Sequence, residues 1–356
     1  MSDKIILDLK KPLLKTWSSE SHLMSMILQQ ENAREWILNN YTNLIGKTRR
    51  EDLRTHLTLI PGHDPTWKDS ALNAWTGCPF LEMYYISHYY IKEHYGSILD
   101  YAIRAMEQGF YLYLGLRQDK LKTRMSQVIH KTFLYGFDKR EQKLFVSDHY
   151  AGGKYALSTM EFSELSEAYE AAYWNVAEEE YNLSKQDLLS EEQFVIIARP
   201  KAFQYQFQLK WFQLQLEDYL KGTYSLHCAN PLSFNDNYEH YWGIACYDML
   251  EYYLSMLLQC QNLKKMDWRC FTLLCDHKTL LRMRAVFFAE NGICNLTQSE
   301  LAQYTKLSEK AQGALNLFLK SKISGNRVCL ERLKRILSDM KNVEEKLLEE
   351  LMMKII

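Results

Sequence analysis

The spacing of apolar and polar positions changes character along the chain. Residues 5–9, ahead of Pro12, alternate weakly, as a short edge strand does. Leu23, Met24, Ile27 and Leu28 then recur at helical spacing that runs on to Trp36 and Ile37. Residues 19–45 therefore read as one or two amphipathic helices, with Ser18 and Ser19 placed to act as N-caps. Residues 46–80 contain a charged turn and the run Pro61-Gly62-His63-Asp64-Pro65, and read as a loop-rich excursion. In PFLEMYYISHYYIKEHY, residues 79–95, Phe80, Met83, Tyr84 and Ile91 fall on one helical face, and residues 97–108 read as another short helix closed by Gly109.

After Gly109 the period shortens to two. FYLYLGL, VIHKTFLYGFD, KLFVSD and, beyond Gly152-Gly153, KYALSTM read as four successive strands. FSELSEAYEAAYW returns to a helical period with Ser163 as cap, and Glu164 and Glu167 sit in first turns where the helix dipole favours anions. Helices followed by strands on short connections indicate an α+β domain with a mostly antiparallel sheet. A polar, acidic stretch follows, which places a boundary near residue 185. From residue 202 to 356 almost every segment has a helical period, which predicts an all-α domain over 186–356 behind an α+β domain over 1–185. The last segment has heptad-like Leu and Ile spacing, which suits a helix packed on its own domain or a short coiled coil, and a homodimer is one expectation.

Composition narrows the function classes. A chain of 356 residues, 47% apolar, is long enough for two cores. Its 43 Lys and Arg against 44 Asp and Glu provide no basic field for nucleic acid or anionic lipid. The eight cysteines are scattered, none in a CxxC pair, and read as buried reduced thiols. No metal or cofactor is expected. The first residues lack the uninterrupted apolar core of a signal peptide, charges interrupt every apolar run, and a cytoplasmic, non-membrane protein is expected. The 24 tyrosines point to large packed cores or an aromatic-lined cleft.

The chemistry-bearing stretch has a strand with His130, a Gly136-Phe137-Asp138 turn, and a strand ending at Asp148. Adjacent strands can bring an imidazole and a carboxylate together, the arrangement that orients a general base in acyl transfer. His130 is also a candidate core histidine and Asp148 a candidate turn residue. The order His130, Tyr135-Gly136-Phe137-Asp138, Phe145-Val146-Ser147-Asp148 resembles the His and Asp strands of papain-like folds in bacteriocin-processing peptidases and in the butirosin biosynthesis protein H-like family. The helical second half, with Trp242-Gly243-Ile244-Ala245 before an amphipathic helix, is similar to the helical domain of that family.

The resemblance implies a papain-like N-terminal domain and an acyltransferase that moves an aminoacyl or peptidyl group to an amine. The donor would be a carrier-protein or small-molecule thioester. The family's nucleophile is a Cys at the start of the first long helix, and here Ser19 occupies that place, followed by Glu20 and His22. Ser19 is then either the nucleophile or an ordinary N-cap. Cys78, ahead of Pro79, is the alternative nucleophile, with a helix dipole expected to lower its pKa. Glu20 and His22 are candidate binding groups, His22 otherwise a surface residue. Two further functions remain open: a papain-fold binding or accessory protein that has lost its nucleophile, and an amide or thioester hydrolase.

Overall fold

The computed structural model describes residues 2–49, 54–60, 75–122, 129–150, 154–174, 194–225, 238–260, 263 and 266–355. Its elements run β1 (Lys4–Ile6), α1 (Ser18–Ile27), α2 (Ala33–Asn40), β2 (Asn43–Arg49), β3 (Arg54–Ile60), β4 (Leu81–Ser87), α3 (His88–Tyr95), α4 (Ile98–Glu107), β5 (Tyr111–Arg117) and β6 (Ile129–Asp138). They continue with β7 (Lys143–Tyr150), β8 (Lys154–Glu161), α5 (Phe162–Tyr173), β9 (Phe194–Pro200), α6 (Leu209–Lys221), β10 (Glu239–Trp242), α7 (Cys246–Gln259), α8 (Arg269–Glu290), α9 (Gln298–Ser324) and α10 (Val328–Ile355). The chain is α+β with antiparallel sheets and a helical C-terminal region. Two compact units form, one from Met1–Ala33 with Ser70–Gln204, the other from Arg34–Asp69 with Tyr205–Ile356.

The first unit is built on an antiparallel sheet in the order β4-β9-β5-β6-β7-β8, with β1 paired to β6. The four strands from β5 to β8 lie where period-two alternation expects them. One face carries Leu112, Leu114, Leu116, Leu134 and Val146, which pack with Ala102, Ala105 and Met106 of α4 and with Leu165 and Ala168 of α5. Each such fully buried large aliphatic side chain contributes roughly 1.5–3 kcal/mol relative to exposure.

Several local readings change. Residues 79–95 are half strand and half helix: β4 pairs with β9 from Leu81↔Pro200 to Ser87↔Phe194, and the helix starts only at His88. The turn after the His130 strand comes later than expected, because Gly136 and Phe137 still pair with Phe145 and Leu144. A bulge between Leu134 and Gly136 shifts the register there, and Asp138 accepts the backbone N–H groups of Arg140 and Glu141 at 3.1 Å each to form the turn. Gly136 is required because a Cβ would run into the Ile5 backbone of β1. Helix α5 starts on Glu161, whose N–H donates to Glu164 at 3.0 Å, so Ser163 is not the cap. In α1 every residue from Ser19 to Ile27 is buried, so the helix is not amphipathic; Trp17 holds the N-cap position, and Ser18 and Ser19 lie in the first turn.

The second unit is not all-α. It contains a three-stranded antiparallel sheet, β10-β2-β3, whose β2–β3 hairpin lies mostly in the segment expected to be a loop and begins, at residues 43–45, in the span expected to be helical. The 61–65 run of that excursion and the boundary at 185 lie outside the described residues. Beyond that boundary, β9 is an inner strand of the first sheet, between β4 and β5. Among the described residues no helix is long and apolar enough to cross a membrane.

Candidate acid–base site

Strand pairing fixes the first two site residues. His130 of β6 lies opposite Leu116 of β5, and Phe133 opposite Ser147 of β7. Side chains alternate along a strand, so His130 projects from the Leu116 side of the sheet. Asp148, next to Ser147, shares the side of Val146, which packs in the same core as Leu116. Pairing therefore brings the two together: His130 Nε2 stands 3.5 Å from Asp148 Oδ1. That separation lies within ion-pair reach and is longer than a formed N–H···O bond. The Asp148 side chain is 2% exposed and the His130 side chain 42%. A buried carboxylate behind an accessible imidazole is the arrangement that orients a ring while leaving its other nitrogen open to a reactant. Asp148 Oδ1 also accepts the His149 N–H at 2.6 Å, which holds the carboxylate in place.

Beside Asp148 is a cavity of about 260 Å³ lined by Gln118, Thr132, Asp148, Ser158, Glu161 and Glu164, among others. Gln118 lies in a 3-10 turn just after β5, and its Nε2 donates to the carbonyls of Leu116 at 3.2 Å and His130 at 3.3 Å. It thereby ties the His130 backbone to the cavity wall. Gln118 Oε1 and Thr132 Oγ1 are both buried and without a hydrogen-bond partner. At the rim, Glu164 accepts the Lys122 N–H at 2.8 Å, and the Lys122 ammonium lies 3.7 Å from the same carboxylate. Among the described residues there is no group of three or more His, Cys, Asp or Glu side chains able to hold a metal ion.

The residues of α1 lie on the opposite side of the sheet. Ser147, which alternates away from Asp148, has its hydroxyl 3.2 Å from His22 Nδ1, and Phe133 stacks on the His22 ring at 4.5 Å. The Tyr155 hydroxyl lies 3.4 Å from the same nitrogen. Ser19 donates its hydroxyl to the Glu20 carboxylate, and its carbonyl accepts Trp75 Nε1–H at 2.8 Å. Trp75 in turn stacks on Tyr113, opposite Phe133 on the α1 side. The sheet thus brings His130 and Asp148 together and puts Ser19, Glu20 and His22 on its other face.

Two expectations are corrected by burial. His22 is neither on the surface nor in a cleft: it is fully buried, and burial pulls its pKa down to about 3 against an opposing pull from Asp148. Cys78 does not open a helix, because β4 follows it; burial pushes its thiol up to about 12, against the lowering expected from a helix dipole.

Sequence reasoning missed Gln118, Thr132, Ser158 and Glu161. Thr132 was open to detection, being two positions from His130 and so on the same strand face. Gln118 had no such signal, since a turn glutamine is usually solvated. No protein-family model matches the chain, and no curated protein matches it.

Proposed function

We propose that the first unit transfers an acyl group from a thioester to an amine by general-base catalysis, without an acyl-enzyme intermediate on α1. His130 is the base and Asp148 its orienting partner. With Nε2–H turned to Asp148, Nδ1 takes the proton of the incoming amine. The amine nitrogen bonds to the carbonyl carbon, the C–S bond breaks, and the proton passes from His130 to the leaving thiolate, giving an amide and a free thiol. The acyl donor is a carrier-protein or small-molecule thioester, as the papain-like, butirosin H-like resemblance implies.

The observation that carries this reading is the buried Asp148 behind an accessible His130, on the sheet face away from Ser19. The resemblance contributes the reaction class, and the face separation argues against a covalent Ser19 mechanism. In an assay with a panel of acyl thioesters and amines, His130→Ala is expected to lower turnover by about 10²–10⁴-fold, the usual worth of a positioned base. Ser19→Ala is expected to leave turnover within about threefold, and intact-mass spectrometry to show no acyl adduct on the protein. An adduct on Ser19, or His130→Ala turnover equal to wild type, overturns the proposal.

A second reading, a binding protein of the same fold without a nucleophile, is favoured by the Ser19 hydroxyl being engaged by Glu20 and by the burial of Cys78. It is distinguished by ligand binding with no turnover of any thioester.

A further inference from the structure

We infer that the cavity beside Asp148 is a binding site for a small primary ammonium compound. This deepens the acyl-transfer reading, on which it rests for the identity of that compound as the acceptor; the binding itself stands on the cavity alone.

The wall leans towards acceptors: three carboxylates and the Gln118 amide oxygen stand against the Lys122 ammonium, and the hydroxyls of Thr132, Ser158 and Thr159 can act either way. The amide nitrogen of Gln118 is already given to the Leu116 and His130 carbonyls, so the amide has only Oε1 to offer a ligand, and that oxygen is buried without a partner. Thr132 Oγ1 is buried in the same condition. A buried polar atom left unpaired costs about 1–3 kcal/mol, and a donor arriving with a ligand recovers that cost. The ionisable groups in the lining are Asp148, Glu161 and Glu164 against Lys122, whose ammonium faces Glu164. The balance is negative, which selects against carboxylates and phosphates. An alkylammonium has three donors and no acceptor, which suits the carboxylates and the unpaired Gln118 oxygen. The volume of about 260 Å³ falls just below the usual range for drug-sized ligands, so the occupant is a small molecule and not a peptide.

The test is isothermal titration of the full chain with 1,3-diamino-2-propanol, with glycerol as an uncharged match and malate as an anionic one. The diamine is expected to bind at least tenfold tighter than glycerol, and malate not to bind. Thr132→Val with Gln118→Leu removes both unpartnered oxygens but also the Gln118 bonds to the Leu116 and His130 carbonyls, so its melting temperature is expected to fall; at a temperature where circular dichroism shows it folded, it is expected to bind the diamine at least tenfold more weakly. Equal binding of glycerol and diamine, or undiminished diamine binding by that folded double variant, overturns the site. Turnover is read separately: diamine binding without thioester turnover keeps the site and removes the acyl-transfer reading, and turnover without diamine binding removes the site.

Discussion

Burial of the His22 ring is expected to make the first unit acid-labile. Its folded pKa of about 3 lies below the ordinary histidine value of 6.5, so the folded state refuses a proton that the unfolded chain accepts. The stability at stake is present above pH 6.5 and is lost as the pH falls from there towards 3. Between pH 7 and pH 5 that loss is about 2 kcal/mol, from 1.36 kcal/mol for each pH unit. Urea unfolding at the two pH values is expected to show this drop in wild type. The drop should be smaller by about that amount in His22→Gln, which keeps a hydrogen-bonding group towards Ser147 and Tyr155; an equal drop in both proteins counts against it. The same burial governs Cys78. With its thiol pushed up to about 12, Cys78 is expected to resist iodoacetamide at pH 8 in the native protein and to react only after unfolding, as peptide mass mapping would show.

At the scale of elements, α6, α7, α8 and α10 are tied by a polar cluster inside the second unit. Glu344 of α10 accepts Lys278 Nζ at 2.6 Å, the Tyr219 hydroxyl at 2.8 Å and the Tyr247 hydroxyl at 2.6 Å, and both Lys278 and Glu344 are fully buried. Breaking such a pair from one side leaves an uncompensated charge in a low dielectric. Lys278→Met is therefore expected to cost about 3–5 kcal/mol, and Lys278→Met with Glu344→Met much less, measured as the urea midpoint. If the double substitution costs as much as the single one, uncompensated charge is not the cause. None of this was legible in the sequence, because a Lys and a Glu in long amphipathic helices read as solvated. The strands β5 to β8 and helix α5 were legible, since their side chains face one packed core and the period follows directly. Strand β4 was hidden because its tyrosines also fit a helical face over residues 79–95. His130 and Asp148 were found because neighbouring strands must juxtapose what their alternation puts on one side. The wrong grouping of Ser19 with them has a physical origin: the sequence of a wholly buried helix does not say which face of the sheet it covers.

The whole molecule is organised by a chain that leaves the first unit at residue 33, returns at 70 and leaves again at 204, so the second unit is discontinuous in sequence. Its helical part is anchored to the inserted segment by buried polar bonds. Arg284 donates from Nε to the Leu38 carbonyl at 2.7 Å and from Nη2 to the Tyr41 carbonyl at 3.1 Å, where the C-terminal end of α2 presents its unsatisfied acceptors. His277 Nε2 reaches the Thr42 carbonyl at 3.0 Å, and Gln215 Nε2 the Asn39 carbonyl at 2.7 Å. Burial draws the Arg284 guanidinium down to about 9 against an opposing pull from Tyr304, and these carbonyls help keep the cation tolerable in the interior. A fragment of residues 186–356, cut at the boundary the composition suggests, loses α2, β2 and β3 and strands Arg284 without its acceptors. That fragment is expected to bind a hydrophobic dye and to unfold without a cooperative transition. Residues 34–69 joined by a Gly-Ser linker to 205–356 are expected to restore one sharp urea transition. A cooperative transition in 186–356 at the midpoint of the rejoined chain would show that the inserted segment decorates the helical unit instead of completing its core.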